Sequence, residues 1–174
     1  MDSINATADA EQEIHTTLQE LESLASRGTL LYALMDAAQP ALNWQPLLQI
    51  FGPSELHPLF AGLSEDDAKE AGPLLWPIDW HALRGNHLRW LLMQEQQSPC
   101  VTWLVSDAKP HQLIAHLQSQ LFTHTPSGDE VLLRFYDPRV LELLMNNVLD
   151  DTQRRELAGP LRQWRVWSAA RGRQ

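Results

Sequence analysis

Hydrophobic and polar positions recur with two periods along the chain, and the changes between them mark its elements. In residues 9–27, Ile14, Leu18, Leu21 and Ala25 form one stripe at helical spacing. Asp9 and Gln12 have capping-box spacing and Gly28 is a stop, so an amphipathic helix is predicted. The run "LLYALM" (30–35) is apolar throughout, as expected of a strand buried on both faces inside a mixed sheet. Prolines 40, 46, 53 and 58 then divide the chain into short helical turns and loops, with Trp44, Leu47, Leu48, Phe51, Leu56, Leu59 and Phe60 as candidate core. "SEDDAKEAG" reads as a short acidic helix capped by Ser64 and stopped near Gly72.

"PLLWPI" has the character of a short strand that Pro77 confines to an edge or ends early. "HALRGNHLRWLLMQEQQ" predicts a helix with Leu88, Leu91 and Leu92 inward, and "CVTWLVS" a further strand. In "KPHQLIAHLQSQL", Leu113, Leu117 and Leu121 fall four apart, which predicts a helix packed on the sheet. "FTHT", the turn signal "PSGD" and "EVLLRFY" predict a hairpin whose second strand runs to Tyr136. Periodicity changes there. Asp137 is a good N-cap and Pro138 suits the first helical position, with Leu141, Leu144, Met145 and Val148 at helical spacing beyond. Arg139 places a positive charge in the first turn, where the helix dipole opposes it by about 0.3–1 kcal/mol, so a negative group is expected nearby. An ion pair to Asp137 or another acid is favoured over an anionic ligand or an acidic partner surface. A helix over 150–158 leads to "LRQWRVW", read as a last strand or a docked tail.

The pattern predicts a mixed α+β fold: a single domain with a small mixed sheet flanked by helices and preceded by an N-terminal amphipathic helix. The expected division is an extension over 1–28, the main domain over 29–168 and a tail over 169–174. In 174 residues the 13 basic and 22 acidic side chains leave a formal charge of -9, which argues against nucleic acid as a partner. The charge is uneven. Residues 1–70 hold 12 acids against Arg27 and Lys69, whereas Arg154, Arg155, Arg162, Arg165, Arg171 and Arg173 gather near the end against Glu156. Such asymmetry can orient a protein partner.

No apolar run reaches the roughly 20 residues that span a bilayer, and the first residues lack the basic start and apolar core of a signal peptide. With Cys100 as the one cysteine, a reducing, cytoplasmic setting without membrane insertion is expected. The seven histidines include no pair with metal-ligand spacing, the glycines stand singly, and Cys100 begins an apolar strand where an inert thiol is expected. No metal, cofactor or catalytic set is therefore assigned. Trp76, Trp90 and Trp103 fit core positions, while Trp44, Trp80, Trp164 and Trp167 are placed to anchor an interface. Arg162, Trp164, Arg165 and Trp167 form the candidate partner-binding group; if "LRQWRVW" is an exposed edge it can add to a partner's strand, and otherwise its tryptophans pack inward.

The segments "LLYALMDAAQ" (30–39), "LFAGL" with "EAGPLLWPI" (59–78), "LLRFYDPRVLELL" (132–144) and "LAGPLRQW" (157–164) together resemble the adaptor-chaperone family of the type VI secretion system, long catalogued as a domain of unknown function. The resemblance covers about 30–167, and Arg-Phe-Tyr-Asp-Pro-Arg is its most specific part. It implies a cytoplasmic, non-enzymatic protein without cofactor that binds a cognate toxin effector and loads it onto the spike protein. Asp36, Gln39, Arg134, Tyr136, Asp137, Pro138 and Arg139 are then family-motif positions, mainly fold-determining, with cargo contact left open. Some family members carry a further helical region after this domain, whose role is expected here to be absent or supplied elsewhere. The N-terminal extension lies outside the resemblance and is either cargo-specific or a lid on the sheet. Two other classes are a structural subunit of the secretion machine and an enzyme with an anion site near Asp36, Arg134 and Arg139.

Overall fold

The unbroken apolar run becomes the centre of the molecule. In the computed structural model, which describes residues 2–25, 29–79, 85–125 and 127–166, strand β1 (Leu30–Asp36) is flanked by β3 (Pro73–Ile78) on one side and β4 (Val101–Ser106) on the other. The two-residue β2 (His57–Pro58) lies outside β3, and β7 (Leu161–Val166) lies outside β4, giving the order β2-β3-β1-β4-β7. Every pairing is antiparallel, where a mixed sheet was expected. The reason is that helices cover both faces, so a central antiparallel strand is as continuously apolar as a parallel one.

Alternation along β1 divides the core. Leu31, Ala33 and Met35 join Leu74, Trp76, Val101 and Trp103 on one face, under α1 (Asp2–Ala25), α2 (Trp44–Phe51) and α3 (Gly85–Gln97). Tyr32 and Leu34 join Leu75 and Leu104 on the other, under α4 (Pro110–Ser119), α5 (Pro138–Leu143) and α6 (Asp151–Ala158). The expected Leu113, Leu117 and Leu121 are all fully buried, each contributing about 1.5–3 kcal/mol by the usual transfer scale.

Helix α1 runs through Asp9 rather than starting there, because residues 2–25 contain neither proline nor glycine to interrupt it. Ile14, Thr17 and Leu21 form its buried stripe, so the helix is a lid on the sheet; the predicted stop at Gly28 lies outside the described residues. The acidic segment is a 3-10 helix, Asp66–Ala71, with Glu65 rather than Ser64 at its cap. It is folded locally by Asp66, which accepts from the Gly62 N–H and from Lys69. Pro77 sits in β3 beyond the two positions that β2 pairs, consistent with an edge.

The hairpin forms from β5 (Phe122–His124) and β6 (Glu130–Leu132), with Gly128 at φ 92° in its turn. Its second strand ends at Leu132 instead of Tyr136. Continued alternation would have exposed one of Phe135 and Tyr136, whereas both are buried, and the backbone bends to bury them, with the Phe135 N–H donating to the Leu133 carbonyl. After α5, residues Leu144–Val148 make a single π-turn closed by the Leu149 N–H on the Leu144 carbonyl. The added residue per turn rotates Val148 into solvent although Leu141 and Leu144 stay inside.

Candidate functional site

Among the described residues, motif positions from distant segments converge at the junction between β6 and α5. Asp137 has extended backbone (φ −79°, ψ 115°), and its carboxylate accepts the Arg139 backbone N–H at 3.0 Å, the expected N-cap, with Pro138 in the first turn. The same carboxylate takes Arg139 Nε at 2.9 Å and Nη2 at 2.8 Å, a two-point ion pair. This resolves the cation in the first turn: the negative group that Arg139 requires is the cap itself.

Asp36, at the end of β1, is fully buried and accepts from the Ala38 N–H at 3.2 Å and the Gln39 side-chain amide at 2.9 Å. Arg134 lies between the two carboxylates, Nη2 being 3.3 Å from Asp36 Oδ2 and 3.4 Å from Asp137 Oδ2. Its guanidinium also lies 5.8 Å from the centre of the Tyr136 ring, which meets Phe60 edge-on at 6.2 Å. Two buried acids thus hold two half-exposed arginines, and their formal charges cancel.

Electrostatics follow from that geometry. Burial alone would raise the Asp137 carboxyl, but the hydrogen bonds from Arg139 and the charges of Arg139 and Arg134 outweigh it and hold it below the ordinary carboxylate value. Burial pushes the Tyr136 hydroxyl up, opposed by Arg134. With both carboxylates engaged by guanidinium groups, the cluster works as a clamp between the end of the sheet and α5.

The other candidate group is dispersed. Trp164 packs edge-on against Phe135 at 6.2 Å and is half-buried, its indole N–H enclosed without an acceptor. Arg162 pairs with Asp107 and Arg165 with Glu20 of α1, both in exposed positions. Trp167, like Trp80, lies outside the described residues. Among the described residues no three or more His, Cys, Asp or Glu side chains gather as a metal site, and no helix is long and apolar enough to cross a membrane.

Sequence reasoning missed Glu95. Its side chain is fully buried on α3, and Oε2 accepts the backbone N–H groups of Cys100 at 2.9 Å and Val101 at 2.6 Å, while the second oxygen has no partner. Burial pushes its pKa up to about 7 despite those two hydrogen bonds. The signal was present: Glu95 is three, four and seven residues from Leu92, Leu91 and Leu88, on the stripe predicted to face inward. The neighbouring Cys100 thiol is buried and pushed up by burial and by the Glu95 charge, as suits an inert thiol.

A family model described as a domain of unknown function (DUF4123) matches residues 31–156, most of the chain. The chain belongs to this DUF4123 family. Nothing among curated proteins or solved structures matches it. The DUF4123 segment contains every member of the Asp36–Arg139 cluster together with Glu95 and Cys100. Helix α1 and strand β7 lie outside it, and the Glu20–Arg165 pair joins these two additions to each other.

Proposed function

We propose that this DUF4123 protein is a non-enzymatic adaptor chaperone that binds a cognate toxin effector in the cytoplasm and helps load it onto the spike protein of type VI secretion. One observation carries the reading: "LLYALMDAAQ" and "RFYDPR", two segments of the resemblance of which the second is the most specific, meet at the Arg134–Asp36 contact. Their joint presence therefore marks one structural unit rather than two chance matches. The family match over 31–156 falls within the segment of the resemblance. An anion-binding enzyme is the weaker reading, since the arginines it would use are already neutralised by Asp36 and Asp137.

Deleting the gene and following secretion of each effector tests the proposal. Delivery of one effector is expected to fail while needles assemble and other effectors pass. Loss of every effector, or of needle assembly, would make the protein a structural component instead.

A further inference from the structure

The five-stranded sheet has two unlike edges. At one, β2 contributes only two residues, one of them Pro58, which lacks a backbone N–H. At the other, β7 contributes six residues without proline, paired to β4 on one side only. Among the described residues no strand lies on its outer side, so a row of backbone donors and acceptors faces outward.

The side chains along that edge have a pattern. Gln163 and Arg165 stand opposite Val105 and Trp103, on the face where Arg165 meets Glu20 of α1. Trp164 stands opposite Leu104 on the reverse face, where it and Leu161 are half-buried apolar groups. We propose that β7 is a docking edge for an extended segment of a partner protein, alternating acidic and apolar residues, which adds to the sheet beside β7. The proposal deepens the adaptor reading and rests on it.

Charge selects this occupant. Arg165 directs Nη1 to Glu20, and Arg162 directs Nε and Nη2 to Asp107, so each guanidinium keeps further donors. Unlike the buried Asp36 and Asp137, Asp107 and Glu20 are exposed, and exposed pairs hold their arginines weakly, which leaves them free to share a partner's carboxylate. By composition, residues 154–173 contain six arginines and one acid, Glu156. A second copy pairing β7 against β7 would bring arginines towards arginines, an unfavourable cross-strand arrangement. An added strand with acids on the Arg165 face and apolar residues against Trp164 and Leu161 meets neither obstacle, and its backbone supplies the missing ladder.

The test titrates the isotope-labelled full chain with a capped peptide of four Glu-Val repeats, read by amide chemical shifts. Shifts are expected at Leu161–Val166, with affinity reduced about tenfold or more by Arg162→Glu with Arg165→Glu and by raised salt. The Arg162→Lys, Arg165→Lys variant should retain binding, which separates loss of charge from loss of fold. The same peptide N-methylated at alternate residues, or with lysine in place of glutamate, should not bind. Absence of shifts at β7, equal binding of the N-methylated peptide, or equal binding of the lysine peptide overturns the proposal. In cells, complementing the deletion with Arg162→Glu, Arg165→Glu should fail to restore effector delivery. Full restoration overturns the docking edge and leaves the adaptor reading standing, whereas a deletion without effect on delivery overturns the adaptor reading itself.

Discussion

Arg134 and Asp36 are 98 positions apart in the chain and 3.3 Å apart in the fold. Asp36 is fully buried and has two further donors in Ala38 and Gln39, while Arg134 is half-exposed. The carboxylate is therefore the organising member of the pair. Asp36→Ala orphans buried donors and should lower stability by about 1–3 kcal/mol, whereas Arg134→Ala leaves Asp36 its other two bonds and should lower it by about 1 kcal/mol or less. Urea denaturation of both variants at neutral pH checks the order, and a larger loss for Arg134→Ala would contradict it.

Asp137 both caps α5 and holds Arg139. Asp137→Ala should lower stability by about 0.5–2 kcal/mol through the cap, seen as a lower melting temperature. Its folded pKa is depressed, so its contribution is present above the unfolded value of about 3.9 and is lost as pH falls through the folded value. Wild-type and variant stabilities should therefore converge at strongly acidic pH.

Glu95 behaves in the opposite sense. Its folded pKa is raised to about 7, so the folded state holds its proton more tightly than the unfolded chain, whose value is about 4.3. Stability from this group is fully present below the unfolded value and declines as pH rises towards 7. Glu95→Gln keeps an acceptor for Cys100 and Val101 and should flatten that decline, while Glu95→Ala removes it and should cost about 1–3 kcal/mol across the range. Denaturation midpoints at several pH values between acid and neutral decide the matter.

Gly72 allows no side chain. A Cβ there would lie 2.3 Å from Cδ2 of Phe60, whose buried ring contacts Tyr136. Gly72→Ala should destabilise by about 1–3 kcal/mol through overpacking and shift the Tyr136 ring resonances, although the two residues are far apart in sequence. Unaltered Tyr136 resonances would contradict transmission through Phe60.

Local chemistry was the legible part of this sequence. Asp137 and Pro138 announce a helix start because capping involves only the next few residues, and Leu113, Leu117 and Leu121 announce a buried stripe because helical period is also local. The end of β6 was not legible: alternation to Tyr136 looked complete, and only the core that takes both Phe135 and Tyr136 bends the chain early. Strand direction depends on which neighbours β1 acquires, which no short window contains. The acid beside Arg139 was foreseeable as Asp137, because charge in a first helical turn demands a counterpart. Glu95 was hidden by the habit of reading a glutamate as solvated, although its spacing from three leucines placed it inside.

The position of β1 also bears on how the protein is made. The strand synthesised first occupies the middle of the sheet, and each of its two neighbours comes later in the chain. In order of synthesis β3 becomes available to β1 before β4 does, and the outer side of β4 has no partner strand until Leu161–Val166 has been translated. A nascent chain stalled before that point presents Val101–Ser106 as an apolar, unpaired edge, the kind of surface that chaperones shield and that drives aggregation. Translation speed across the segment between β4 and β7 should thus govern the yield of folded protein more than speed across α1, which packs on a sheet that does not yet exist when it emerges.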